Sequence, residues 1–193
     1  MKTTNIMIVG VGGQGSLLAS KLLGRLLTEE GYDVKVSEVH GMSQRGGSVV
    51  TYVRFGEKVY SPIITEGEAD FIVSFEKLEA ARWASCLAPD GRIIVNTQEI
   101  APMPVIIGAA TYPSGILDEL TAKGVKIDAL DALSLAKQAG SPKAVNIVLM
   151  ARLAKYLDIP YDNWLEAIGK TVAPKFVELN RTAFALGYEQ ERK

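Results

Sequence analysis

A short β-branched run from Asn5 to Val9 breaks into Gly10-Val11-Gly12-Gly13-Gln14-Gly15, and Leu17, Leu18, Leu22, Leu26 and Leu27 follow near helical spacing. A strand that enters a helix through so many glycines constrains the fold more than any other feature, because it is the first crossover of an α/β unit. It is also the context in which G-x-G-x-x-G acts as a phosphate-binding fingerprint. On that reading Gly10 permits the tight turn, Gly12 lets backbone amides approach an anion, and Gly15 lets the helix lie close to the sheet, with the helix N-terminus favouring negative charge. A plainer reading stands beside it, in which the glycines only allow a close strand-to-helix turn.

The pattern continues along the chain. Gly31 closes the first helix, Asp33–Val39 reads as a strand, and His40–Gly47 has the composition of a long loop. Ser48–Phe55 alternates as a strand, and Gly56-Glu57 is expected to turn it back into Lys58–Ser61 as a hairpin. Phe71–Phe75 reads as a buried strand and Lys77–Ser85 as a helix, while Pro89-Asp90-Gly91 reads as a turn before the strand Arg92–Asn96. Val105–Ala109 and Val125–Leu130 read as later strands flanking the helix Ile116–Lys123. Beyond Pro142 three helices are expected, at Ala144–Leu157, Asn163–Thr171 and Lys175–Leu186. Strands alternating with helices predict an α/β fold: a Rossmann-like, doubly wound, mostly parallel sheet with a helical C-terminal segment, in one domain spanning 1–193.

Two segments concentrate chemistry at the predicted carboxyl ends of strands. Glu38 falls at the end of the second strand, where an acid can meet a ribose hydroxyl or simply be solvated. His40-Gly41-Met42-Ser43-Gln44-Arg45-Gly46-Gly47 gathers donors and glycines in the loop leaving that strand, and is expected to face the glycine turn. Arg45 fits a carboxylate or phosphate through its planar fork, or a structural acid such as Glu38. His40, the sole histidine, has no evident relay around it, and a loop hydrogen bond is the plainer role. Trp83 and Trp164 lie outside these loops and suit a core or an interface.

Composition narrows the partners. Lys and Arg number 21 against 22 Asp and Glu, with no long run of either sign, which argues against nucleic acid and anionic membranes. The single Cys86 cannot form an internal disulfide or hold an iron–sulfur cluster, so no metal site is assigned. The apolar stretch behind Lys2 is too short for a signal peptide or a span, and a cytoplasmic protein is expected.

Taken together, Gly10-Val-Gly-Gly-Gln-Gly15 and Glu38-Val-His-Gly-Met-Ser-Gln-Arg-Gly-Gly-Ser48 resemble the gamma-type domain of pyruvate and related 2-oxoacid:ferredoxin oxidoreductases. Tyr52-Val-Arg-Phe-Gly56 and Tyr60-Ser-Pro62 look like the small (beta) subunits of the indolepyruvate type. Pro142-Lys-Ala-Val-Asn-Ile147 is similar to the family's segment opening a late helix, so the landmarks extend from about Asn5 to Leu157. The resemblance implies a subunit that supports oxidative decarboxylation of an aryl 2-oxoacid with coenzyme A, giving an aryl-acetyl-CoA, carbon dioxide and reduced ferredoxin. It implies no cofactor on this chain, thiamine diphosphate and iron–sulfur clusters on a large alpha subunit, and ferredoxin reached through the complex. The exposed surface left for that partner would favour self-association of the isolated chain.

The resemblance assigns no proton-transfer residue to this chain. Candidates for cofactor binding or subunit contact are Gly10, Gly12, Gly13, Gln14, Gly15, His40, Ser43, Gln44, Arg45, Gly46 and Gly47, with Asn146 added on the resemblance alone. Two rivals remain at this point. One is a self-contained NAD(P)- or flavin-binding Rossmann oxidoreductase; the other is a structural or regulatory homologue that keeps the fold without the reaction.

Overall fold

The computed structural model describes residues 3–38 and 46–191. Its strands are β1 (Thr4–Val11), β2 (Asp33–Glu38), β3 (Ser48–Gly56), β4 (Ala69–Ser74), β5 (Leu87–Asn96) and β6 (Lys126–Leu130). Its helices are α1 (Ser16–Glu29), α2 (Lys77–Arg82), α3 (Met103–Ile106), α4 (Ile116–Ala122), α5 (Ala132–Gln138), α6 (Val145–Ala154), α7 (Tyr161–Thr171) and α8 (Val177–Glu189). The strands form one sheet in the order β2-β3-β1-β4-β5-β6. β1, β4, β5 and β6 pair in parallel, whereas β3 runs antiparallel to both of its neighbours, β1 and β2. The sheet is therefore mostly parallel, as expected, but β3 intervenes between β1 and β2.

Period-two alternation places the two cores. Ile6 and Ile8 of β1 face one core with α1, α6, α7 and α8, while Met7 and Val9 face a second with α2 and α4. Leu22, Leu23, Leu26 and Leu27 of α1 are buried on the first face, where each contributes roughly 2 kcal/mol relative to exposure. Trp164 is fully buried there and stacks on Phe184 at 5.6 Å between ring centres, which makes it a core residue. Every residue of α6 is buried, and a Cβ on Gly187 of α8 would stand 2.6 Å from the Val148 carbonyl oxygen, so these two helices pack at backbone distance.

The burial of α6 includes a charge. Arg152, 1% exposed, grips Asp128 of β6, 0% exposed, in a bidentate pair with Nε and Nη2 at 2.7 and 2.6 Å from the carboxylate. Its remaining donors take the carbonyls of Gln190 and Glu191 at 2.6 and 2.5 Å, and the Tyr156 hydroxyl donates to Asp128. This clamp fastens the chain beyond α8 to the β6 edge of the sheet.

Four sequence expectations differ from the structure. The segment 58–61 is not a hairpin strand: β3 is already paired on both sides, and the chain after it is held by Arg54, which donates to the Ser61 and Ile63 carbonyls, and by Asp33, which accepts from the Val59 amide. Val105–Ala109 is not a strand but follows the start of α3, since Pro104 suits a helix's first turn and Gly108, at φ 77°, stops it. Pro89-Asp90-Gly91 lies within β5 as a bulge, the β4 partner jumping from Ala69↔Leu87 to Phe71↔Arg92. α5 was not expected; Asp131 caps it by accepting from the Ser134 amide at 3.0 Å.

Candidate functional site

The glycine turn lies at the carboxyl edge of the sheet, and the side chain of Gln14 shapes it from within. Gln14 Oε1 accepts from the Val11 amide at 2.8 Å, while its Nε2 donates to the Phe75 carbonyl at 3.1 Å, pinning the turn to the end of β4. Gly10 serves close approach rather than an unusual backbone angle: a Cβ there would stand 2.9 Å from Phe75 Cβ and from Gln14 Oε1. Gly15 is left-handed, at φ 91°, and a Cβ on it would come 2.7 Å from Asn146 Nδ2. Asn146 donates to the Gly15 carbonyl at 3.2 Å, so the N-termini of α6 and α1 are tied across 131 residues.

The predicted meeting of the two glycine-rich segments holds at one point. The Gly12 amide donates to the Gly47 carbonyl at 2.9 Å, immediately before β3 begins. Gly46 is left-handed, at φ 98°. Ser48, next in sequence, donates to the buried carboxylate of Glu79 on α2, which Arg82 also contacts at 3.1 Å. At the other end of the loop, Glu38 accepts from Ser20 of α1. His40, Ser43, Gln44 and Arg45 lie outside the described residues.

Two cavities flank the turn. One, of about 270 Å³, lies between Gly12, Gly13, Ser16, Leu17, Glu38 and Thr51. The other, of about 560 Å³, is bounded by Gly13, Gln14, Leu18, Gln98, Lys143 and Asn146, on the side where β1 meets β4. That is the crevice in which open α/β sheets receive ligands, because strand order reverses there. The first turn of α1 has no acidic residue and no side-chain cap, so the positive end of its dipole is open toward the larger cavity, while Glu38 brings a carboxylate to the smaller one. Lys143, exposed at the rim, adds a full positive charge. The arrangement suits an anionic ligand with an extended body.

The sequence reading missed the polar frame behind the turn. Asn96 is fully buried; its amide donates to the Phe75 carbonyl at 3.2 Å and its oxygen accepts from the Ala132 amide at 3.1 Å. Glu76, 1% exposed, caps α2 through the Glu79 amide at 3.0 Å and accepts from the Ile100 amide at 3.1 Å and from the Tyr112 hydroxyl. Burial, then the neighbouring Glu76 carboxylate, pushes the Tyr112 hydroxyl well above the ordinary phenol range. The available signal was a polar residue at the end of each apolar run, Glu76 after Phe71–Phe75 and Asn96 closing β5. Among the described residues no three His, Cys, Asp or Glu side chains come together as a metal site. Cys86 is buried, and burial raises its thiol above the usual range.

Fold and edge together define an α/β chain built to present a glycine turn beside a ligand crevice. The chain belongs to the pyruvate ferredoxin/flavodoxin oxidoreductase family, which it matches over residues 5–190. It is 44% identical to subunit IorB of indolepyruvate oxidoreductase from Thermococcus kodakarensis, over 100% of this chain and 98% of that one. Pyruvate oxidoreductase subunit PORC from Thermotoga maritima shares the fold, with a TM-score of 0.74 at 22% identity over 98% of this chain and 97% of its own. The 2-oxoglutarate:ferredoxin oxidoreductase from Magnetococcus marinus, solved with 2-oxoglutarate, coenzyme A and succinyl-CoA bound, matches with a TM-score of 0.74 at 18% identity. That match covers all of this chain and 32% of the longer one.

Proposed function

We propose that this chain is the small subunit of an arylpyruvate:ferredoxin oxidoreductase of the indolepyruvate type, acting in the cytoplasm as a single gamma-type domain. The observation that carries the reading is the full-length 44% identity to an indolepyruvate oxidoreductase subunit. The reaction is oxidative decarboxylation of an aryl 2-oxoacid: carbon dioxide leaves, the acyl group passes to the coenzyme A thiol, and two electrons pass to ferredoxin. Thiamine diphosphate, which stabilises the carbanion left by decarboxylation, and iron–sulfur clusters, which carry the electrons, belong to a large partner subunit. The residues here do not fit a cluster, since the chain has one cysteine and that one is buried.

This chain's share is the coenzyme A side of the site. The α1 N-terminus and Lys143 offer positive potential to phosphate groups, and the crevice between Gly13, Leu18 and Asn146 admits an extended molecule. Two observations weigh against the dinucleotide reading, although Glu38 still lines the smaller cavity beside Gly12 and Gly13. The Gly12 amide is already bonded to Gly47, and Glu38 stands two strands from β1 with Ser20 on its carboxylate. Purification of this chain with a co-expressed large subunit tests the proposal. A joint complex that reduces ferredoxin with indolepyruvate and coenzyme A is the expected result; saturable micromolar binding of NAD(P) or flavin by the isolated chain, abolished by Gly12→Val in a folded variant, would replace it with the rival.

A further inference from the structure

From Ile100 to Leu117 the chain carries no charged residue, although 22% of the whole sequence is charged. Between Ala101 and Gly115 no residue of this stretch is buried. It leaves the carboxyl end of β5, forms α3 on the outside of the molecule, and returns to α4. Met103, Ile106 and Ile107 are 65%, 65% and 69% exposed. Together these three side chains offer on the order of 400 Å² of apolar surface, within the size range of the largest apolar patch on a monomeric protein, which is often functional.

The excursion is held rigidly. Both of its ends are fastened to one buried carboxylate, Glu76, through the Ile100 amide and the Tyr112 hydroxyl. Pro102, Pro104 and Pro113 restrict its backbone, and α3 closes on bonds from the Ile106 and Ile107 amides to the Pro102 and Met103 carbonyls. A preorganised apolar knob loses little conformational freedom on docking, which favours a lasting interface over a passing one.

We infer that the α3 arm is a principal contact for the large catalytic subunit, a partner whose matching surface is apolar and uncharged. The inference rests on the proposed function for the existence of that subunit. Area and position select it over a second copy of this chain. A stable interface covers about 800 Å² on each partner, twice what the arm supplies, so two arms meeting each other fall short. The missing area lies along the same carboxyl edge: Ile100 lines the coenzyme A crevice, Leu17 the neighbouring cavity, and Phe176 is 47% exposed beyond Leu18. A large partner that closes the crevice covers the arm and this rim at once.

The test uses the full chain co-expressed with its large subunit, comparing wild type with Ile106→Asp/Ile107→Asp and with Met103→Ala/Ile106→Ala/Ile107→Ala. Subunit affinity is measured by titration, and melting temperature and molar mass are measured on the isolated small subunit. Loss of affinity by about 100-fold in the Asp variant, and by about tenfold in the Ala variant, is expected with the melting temperature unchanged, because the altered side chains are solvent-exposed. Wild-type affinity in both variants would overturn the inference and leave the proposed function standing. So would an isolated wild-type dimer that the Asp variant splits without weakening the large-subunit complex, since a second copy would then cover the arm. Failure of the wild-type chain to bind the large subunit at all would overturn the proposed function and the inference with it. If the Asp variant is unfolded, the Ala variant decides.

Discussion

The glycine turn and the Arg152 clamp are both polar constructions where helices meet the sheet, and they dispose of their donors in opposite ways. At the clamp, Arg152 bonds Asp128 twice and two backbone carbonyls besides, leaving the guanidinium 1% exposed. At the turn, Gln14, Gly12 and Asn146 satisfy the inner backbone groups, while the first turn of α1 is left uncapped beside two cavities. Polar groups that close on each other hold the fold; polar groups left at a cavity are available to a ligand. Substitutions at the clamp should therefore change stability, and one at Lys143 on the cavity rim should change ligand requirement alone.

The largest effect is expected at the clamp. Arg152→Ala leaves Asp128 charged and buried without its partner, and a loss of about 3–5 kcal/mol is expected in urea denaturation. Asp128→Leu combined with Arg152→Met should recover most of it, because no uncompensated charge remains. Equal destabilisation in the double variant would show that the pair acts through shape rather than charge. Next in size is Gly15→Ala, which forces a Cβ into a left-handed position 2.7 Å from Asn146 Nδ2. A loss of roughly 1–3 kcal/mol is expected, reduced but not abolished in an Asn146→Ala background, where only the backbone strain remains.

A pH effect should come from the tyrosines. Burial raises the hydroxyl pKa of Tyr112 and Tyr156, and the carboxylates that accept from them, Glu76 and Asp128, raise it further. A raised folded-state pKa means that the stability it contributes is fully present below the unfolded value, about pH 10 for tyrosine, and is lost as pH rises above it. Denaturation midpoints should hold up to about pH 9 and fall beyond pH 10. Tyr112→Phe with Tyr156→Phe should flatten that fall; an unchanged alkaline slope would remove these two tyrosines as its source. Smallest in stability is Lys143→Ala, expected to leave the melting temperature unaltered while raising the coenzyme A requirement of the complex about fivefold, the size of one exposed charge contact. A stability loss without a change in coenzyme A dependence would place Lys143 with the clamp rather than the site.

Much of the turn was legible because it is local. A β-branched run, a cluster of glycines and a 3.6-residue apolar repeat follow one another within thirty residues, so β1, the turn and α1 are readable from period alone. What Gly10 and Gln14 do was not, since both act against Phe75, which is close in space only after β4 pairs with β1. Asn146 is similar: its contact with Gly15 exists because α6 is drawn wholly into the core. The insertion of β3 between β1 and β2 was hidden as well, because alternation identifies a strand but not its neighbours. At α3 the β-branched run Val105-Ile106-Ile107 pointed to a strand, yet no sheet edge receives it and Pro104 favours the first turn of a helix. The clamp gave no local sign, since Asp128 and Arg152 stand 24 residues apart on a strand and a helix and meet only in the folded chain.

The most direct test of the central claim is a titration of the purified large subunit with this chain, following indolepyruvate- and coenzyme A-dependent reduction of ferredoxin. Activity should be absent from this chain alone, should rise in proportion to added chain and should saturate at a fixed stoichiometry. Full activity of the large subunit before any of this chain is added would contradict the account.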